Sequence, residues 1–191
     1  GKAIYNGLEA LLSTLRKVQE YRQIVRYLLA RMIYTDGLNT LFAFGGIYAA
    51  GSFGFSFTEI IQFGIAINLT AGIGAAAFAW IDDWIGPKKT ILIAIVALVF
   101  LSSMLLITES KTLFWVCGLG LGIFVGPTQS ASRSLMAHMA PESLRTEMFG
   151  LYALSGKATA FLGPAAVAFA TNMFGNQRAG MSTIIVFFVI G

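Results

Sequence analysis

The stretch that decides the fold class is Thr90-Ile-Leu-Ile-Ala-Ile-Val-Ala-Leu-Val-Phe-Leu-Ser-Ser-Met-Leu-Leu-Ile-Thr108. Between its terminal threonines, Ser102 and Ser103 are the only polar residues, and no residue is charged. A helix that crosses the hydrocarbon core of a bilayer needs about 20 mostly apolar residues at ~1.5 Å rise per residue. The stretch therefore predicts a membrane helix that turns most of its surface to lipid.

The whole chain shares this apolar character. Of its 191 residues, 57% are hydrophobic and 12% are charged, and its mean hydropathy is +0.75. Soluble domains carry about 25% charged residues, and a soluble fold of this length could not hide so much apolar surface. The 16 phenylalanines suit lipid-facing helices, and the 21 glycines suit close helix–helix contact. We predict an all-α membrane protein.

The chain divides into a basic amphipathic start and six apolar segments. In residues 1–25, leucines recur at helical spacing and basic residues lie on the other faces, which predicts an amphipathic cytoplasmic linker helix at the membrane interface. Residues 26–191 are predicted to form a six-helix transmembrane domain. The predicted spans are residues 27–50, 58–81, 90–108, 113–137, 147–171 and 179–191. The last is short for a span, so we expect a truncated helix that continues in the native chain.

Basic residues mark one side of the membrane. Of the 13 lysines and arginines, ten lie in or next to residues 1–31, 82–89 and 133–146. The positive-inside rule predicts that residues 1–26, 82–89 and 138–146, and with them the N-terminus, are cytoplasmic.

Two ionisable residues interrupt predicted spans at similar depth. Asp36 lies in the first span and Lys157 in the fifth, each about ten residues from the same end. A charge in hydrocarbon costs several kcal/mol, so it usually has a partner or a task. Asp36 and Lys157 form either a structural ion pair that locks two helices or part of a substrate or proton-coupling site.

Further polar residues lie at neighbouring depths. They are Asn39 in the first span, Asn68 in the second, and Gln129 and Arg133 in the fourth. Each alone suits an interhelical hydrogen bond as well as a ligand contact. Together with Asp36 they predict a polar central cavity.

A glycine stripe and two prolines mark possible bends. Gly118, Gly122 and Gly126 recur every four residues, which allows a neighbouring helix to approach closely. Pro127 and the pair Gly163-Pro164 interrupt the hydrogen-bond ladder of their spans, as static kinks or as hinges.

Residues that suit catalysis are scarce. His138 is the single histidine and Cys117 the single cysteine, and the chain has no HExxH motif. We therefore predict no enzyme, no metal and no cofactor.

The loop between the second and third spans, residues 79–89, resembles the major facilitator signature G-x-x-x-D-R-x-G-R-R. Asp83, Gly86 and Lys88 match its Asp, second Gly and final base. The sequence departs from the signature at Ala79, Trp84 and Pro87. The resemblance implies a conformational gating loop, in which Asp83 stabilises one conformation through contacts between the two halves of the transporter.

A narrower resemblance extends from about Tyr27 to the end. Five stretches carry it: residues 34–40, 126–137, 139–142, 147–164 and 177–181. They resemble bacterial major facilitators related to the fungal vacuolar amino-acid efflux permeases. The resemblance implies the C-terminal half, helices seven to twelve, in a bacterial inner membrane. It also implies alternating-access transport of a small solute, amino acids among the candidates.

Six helices would leave one wall of the cavity facing lipid, which is costly. We therefore expect either an upstream six-helix half or further copies of this chain, as a homo-oligomer, beside the solute and membrane lipids. Nothing in the sequence predicts a nucleic-acid partner. The alternative function is a channel-like pore built from several six-helix units.

Overall fold

The computed structural model describes residues 21–191, and all regular structure in this range is helical. The α-helices are α1 (Arg22–Phe53), α2 (Phe57–Ile85), α3 (Pro87–Ile107), α4 (Lys111–Met139), α5 (Arg145–Ala158), α6 (Leu162–Phe174) and α7 (Gln177–Ile190). A short 3₁₀ helix, Glu142–Leu144, precedes α5. The predicted all-α class is confirmed. Most of the predicted linker helix over residues 1–25 lies outside the described residues.

Local sequence signals explain where the helices end. Gly54, with φ of 64°, closes α1 in the left-handed conformation that glycine adopts without strain. Ser56 and Glu59 then form a reciprocal capping box at the start of α2. Gly86, with φ of 86°, is the only residue between α2 and α3, and Pro87 begins α3. The predicted tight turn at Gly86-Pro87 is present.

Four segments of the described chain are long and apolar enough to cross a membrane: α2, α3, α4 and the stretch Glu142–Phe174, which contains α5 and α6. At 32 residues α1 is long enough, but three arginines and Asp36 make it less apolar. With 14 residues, α7 is shorter than a span. The number of six spans therefore stays a prediction.

Two predicted boundaries differ from the structure. The border between residues 25 and 26 falls inside α1, because the helix already begins at Arg22. The fifth span is two helices, since α5 ends at Ala158 and a turn over residues 159–161 precedes α6. This break lies just before Gly163-Pro164, where the sequence predicted a bend.

The apolar helix α3 is buried on one side only. Ile91, Leu98 and Leu105 are buried, whereas Val96 and Phe100 on the other side are exposed. The buried side packs on α4 and α7. The exposed side agrees with the predicted contact with lipid.

Helices α2 and α4 approach closely through the predicted glycine stripe. A Cβ atom on Gly126 would lie 2.0 Å from the carbonyl oxygen of Ala71, and one on Gly118 would overlap the ring of Phe63. In the opposite direction, a Cβ on Gly74 would lie 2.0 Å from the carbonyl oxygen of Ile123. These backbones can meet only because the residues between them lack side chains.

The Ile123 carbonyl at this crossing has lost its usual helical partner. Its donor would be the amide of residue 127, four positions later, and Pro127 has no amide hydrogen. Gly74 of α2 lies directly against this carbonyl oxygen. Pro127 leaves the Ile123 carbonyl without its helical donor, and Gly74 lets α2 approach that carbonyl. A weak Cα–H···O contact from α2 can replace the missing bond there.

Ionic contacts join elements at the end of the bundle that holds Gly54. Lys111 Nζ lies 2.5 Å from Glu59 Oε1 and links α4 to α2. Arg178 of α7 lies 3.8 Å from Glu109 and donates to the Thr108 carbonyl. We call the other end, which holds the α2–α3 and α4–α5 connections, the basic end.

Candidate functional site

A polar pocket of about 140 Å³ lies between α1, α4 and α5 toward the basic end. Its lining residues are Arg31, Tyr34, Thr35, Leu38, Asn39, Gln129, Ser132, Arg133 and Tyr152. We call it the arginine pocket, because its two charged lining residues are both arginines.

Helical periodicity builds two walls of the arginine pocket. Arg31, Thr35 and Asn39 are spaced four apart on α1, so they share one face of the helix. Gln129 and Arg133 have the same spacing on α4. The structure thus brings together three residues that the sequence singled out: Asn39, Gln129 and Arg133.

Two tyrosines, Tyr27 and Tyr34, fix α1 against α4 through Ser132, a residue of the pocket lining. The Tyr27 hydroxyl donates to the Ser132 carbonyl at 2.7 Å. The Tyr34 and Ser132 hydroxyl oxygens are 2.7 Å apart. Because the Ser132 hydroxyl donates its single proton to the Thr128 carbonyl, Tyr34 is the donor to Ser132. The two helices are therefore held in register at the depth of the pocket.

Arg31 links α1 to α5. Its Nη1 atom donates to the Tyr152 carbonyl at 2.6 Å and to the Ser155 hydroxyl at 2.7 Å. Its guanidinium carbon lies 3.5 Å from the centroid of the Tyr152 ring, within range of a cation–π interaction. These partners are neutral, so they orient the guanidinium without neutralising its charge.

Asp36 is buried away from the arginine pocket. Its side chain is 2% exposed, and Oδ2 accepts a 2.8 Å hydrogen bond from the Gly163 amide. That amide belongs to the first turn of α6, where helix donors lack partners within their own helix. Asp36 therefore caps α6, the second half of the broken fifth span.

Close packing brings Asp36 to this helix end. A Cβ on Gly163 would lie 2.0 Å from the Thr40 hydroxyl oxygen and 3.2 Å from the Asp36 carbonyl oxygen. Only glycine allows α6 to start so close to α1. The Thr159 hydroxyl, in the break itself, donates to the Met32 carbonyl on α1 at 3.2 Å.

The predicted ion pair between Asp36 and Lys157 does not form. The ion pairs among residues 21–191 do not include either residue, and the Lys157 side chain is exposed. Lys157 lies in the last turn of α5, where a cation suits the negative helix end. Similar depth did not bring the two residues together, because Asp36 points to the start of α6 and Lys157 points outward.

The remaining predicted residues also lie outside the arginine pocket. Asn68 is exposed on α2 and donates to the carbonyl of Gly64 in its own helix. In the predicted gating loop, Asp83 and Lys88 are exposed on either side of Gly86. Lys88 borders a separate groove at the basic end. The roles of these residues stay predictions.

The sequence analysis missed Arg31, Tyr34 and Tyr152 as pocket residues. Arg31 was counted among the basic residues of the membrane side, although it is the tenth residue of α1. Its spacing of eight from Asn39 places both on one helix face, which could have indicated the shared site. Tyr152 had no such signal, because its contact with Arg31 depends on how α5 packs.

The described chain thus combines apolar helices with a polar, cationic pocket, and comparisons with known proteins identify its family. The chain matches the family described as "Vacuole effluxer Atg22 like" over residues 1–191. The chain belongs to this family.

Its relatives include bacterial and fungal proteins. It is 23% identical over 188 residues to the uncharacterised MFS-type transporter YxiO of Bacillus subtilis, covering 98% of this chain and 44% of YxiO. It is 25% identical to autophagy-related protein 22 of Cryptococcus neoformans, covering 92% of this chain and 34% of that protein. With autophagy-related protein 22 of Candida glabrata it is also 25% identical, covering 96% of this chain and 36% of the relative.

These comparisons confirm the resemblance found in the sequence motifs. The chain is an integral membrane protein of a transporter family, so a lipid environment and a small solute are the partners implied by the family. The chain spans less than half the length of these curated relatives.

Proposed function

We propose that this chain is one half of a secondary active transporter that moves a small solute by alternating access. The arginine pocket is its contribution to the solute site. The observation that carries the proposal is the convergence of Asn39, Gln129 and Arg133 on one pocket, from helices far apart in sequence. Amino acids are candidate solutes because the sequence motifs resemble those of the vacuolar amino-acid efflux permeases, and the matching family is described as vacuole effluxers.

The exposed polar wall needs a cover in the membrane. Asn39, Gln129 and Arg133 are exposed in this chain, and lipid cannot satisfy their hydrogen bonds. A second six-helix half or another copy of this chain would enclose them. The molar mass of the purified particle in mild detergent distinguishes the two arrangements, and a single chain of this length alone would contradict both.

The transport test uses the full-length protein in proteoliposomes with a panel of radiolabelled amino acids and organic acids. We expect uptake that saturates with solute concentration. Asn39→Ala should reduce it, while Asn172→Ala, an exposed asparagine on α6 outside the pocket, should not. Asn68→Ala in the same assay tests whether Asn68 on α2 contributes to the solute site. Ion flux that never saturates would instead favour the channel-like pore.

We also propose that the basic end faces the cytoplasm of a bacterial inner membrane. Lys88 lies at the basic end and Lys111 at the opposite end, so the variants Lys88→Cys and Lys111→Cys place a reactive thiol at each end. Cys117 is buried. A membrane-impermeant maleimide added to intact cells should label the cysteine at position 111 and not the one at 88. The reverse pattern would contradict the orientation.

A further inference from the structure

We infer that the arginine pocket binds an anionic group, the carboxylate of a small solute; this inference rests on the proposed function. Arg31 and Arg133 line the pocket, and its described lining contains no aspartate or glutamate. Asp36, the acidic residue of α1, is turned away and engaged by the Gly163 amide.

Arg31 is pre-oriented but not neutralised. Its two hydrogen bonds go to a carbonyl and a hydroxyl, and the Tyr152 ring stacks on its guanidinium. Its Nε atom is buried and has no hydrogen-bond partner within residues 21–191. Since the partners of Arg31 are all neutral, its positive charge is uncompensated, and an anionic ligand in the pocket would supply the counter-charge.

Arg133 supplies the second cation. It is exposed toward the pocket side of α4 and forms no hydrogen bond or ion pair with the described part of the chain. A guanidinium presents its N–H groups as a planar fork that matches a carboxylate, and charge-assisted bonds of this kind are the stronger ones. Gln129, one turn away, adds a neutral donor and acceptor.

The size of the pocket limits the ligand. The pocket has a volume of about 140 Å³, and Asn39, Gln129 and Arg133 in its lining are exposed, so it is open on that side. It admits a small anionic group, and the rest of a larger solute would lie toward the covering half. With no acidic side chain in the lining, this half offers no counter-charge to an ammonium group. The pocket therefore recognises the anionic end of the solute.

The test compares carboxylates with their matching amides. Binding is measured by calorimetry on the full-length protein in phosphatidylcholine nanodiscs. The pairs are L-alanine with L-alaninamide, L-leucine with L-leucinamide, and L-lactate with L-lactamide. We expect at least one acid to bind about tenfold or more tightly than its amide, as charged hydrogen bonds predict. Equal affinities within every pair, or binding of the amides alone, would overturn the inference.

Variants connect the preference to the pocket. Arg133→Gln should weaken the preference for the acid, because Arg31 remains as a single cation, and Arg133→Lys should restore it in part, because Lys keeps the charge without the fork. Arg145→Gln, an exposed arginine outside the pocket, is the matched control and should keep it. Unchanged preference in Arg133→Gln would overturn the inference. Because Arg133 is exposed, this variant tests the pocket without disturbing the buried contacts of Arg31.

Two further arms separate the possible failures. If phosphatidylglycerol in the nanodiscs binds in an Arg133-dependent way and soluble acids do not compete, the bound group is a lipid headgroup and the inference is wrong. If the protein takes up a cationic solute saturably but prefers no acid over its amide, the transport function is supported and the anion site is refuted. If acids bind in an Arg133-dependent way but saturable uptake is absent, the anion site is supported and the transport function is refuted.

Discussion

The close crossing of α2 and α4 leads to a quantitative prediction for Gly74→Ala. The new Cβ would lie 2.0 Å from the Ile123 carbonyl oxygen, whereas ordinary contact begins at 3.4 Å. Helices α2 and α4 must therefore separate by about 1.4 Å at this point, and the obstacle is backbone rather than a flexible side chain. Overpacking of this kind typically costs about 1–3 kcal/mol.

The matched control is Gly72→Ala, two residues earlier on the same helix, where a Cβ would meet nothing within 4 Å. Both substitutions replace glycine by alanine and gain the same helix propensity, about 1 kcal/mol in water. The difference between their free energies of unfolding therefore isolates the steric cost at Gly74. Gly150→Ala on α5, also in open space, repeats the control on another helix.

Thermal unfolding of the full-length variants, followed by tryptophan fluorescence in nanodiscs, measures the difference. Because of the steric cost at the Ile123 carbonyl, Gly74→Ala should unfold at a lower temperature than Gly72→Ala. Equal Tm values for the two variants would show that α2 and α4 are not in the close contact described here.

Substitutions at three other positions test the roles of single side chains. Asp36→Ala leaves the buried Gly163 amide without an acceptor and should cost about 1–3 kcal/mol in thermal unfolding, whereas Asp36→Asn keeps an acceptor and should cost less. In proteoliposomes Asp36→Asn should abolish uptake if the charge is needed for coupling, and wild-type uptake would exclude that role. Lys157→Ala should leave Tm unchanged, because the side chain is exposed and unpaired with Asp36. The sequence predicts that the same variant loses uptake in proteoliposomes, and normal uptake would contradict that prediction. Glu59→Gln should lower Tm by less than Gly74→Ala, and added salt should narrow its difference from wild type, because the Lys111 contact lies at the surface.

Much of the fold followed from composition and periodicity. An uncharged stretch such as residues 90–108 has few stable alternatives to a membrane helix, since lipid leaves the backbone no other hydrogen-bond partners. The turn at Gly86-Pro87 was also predictable, because a positive φ and a proline at the first helical position are local properties. The glycine stripe of α4 indicated a close neighbour, although it did not identify α2.

The candidate site was only partly predictable. Asn39, Gln129 and Arg133 were recognised as polar residues at depth, and the structure places them together. Asn68 and Lys157 met the same criterion and lie elsewhere. Depth along a helix specifies one coordinate of a side chain, but the direction in which it points depends on how the helix is rotated against its neighbours.

Sequence alone therefore established an apolar helical chain suited to a bilayer, its segments, and a short list of polar residues that break them. The packing of α1 against α4, α5 and α6 determined which of those residues meet. Arg31 contacts Tyr152 more than 120 positions later, and Asp36 binds the amide of Gly163, 127 residues away. Such contacts depend on the rotation and spacing of whole helices, which hydropathy does not encode because lipid is nearly as apolar as any helix face it touches.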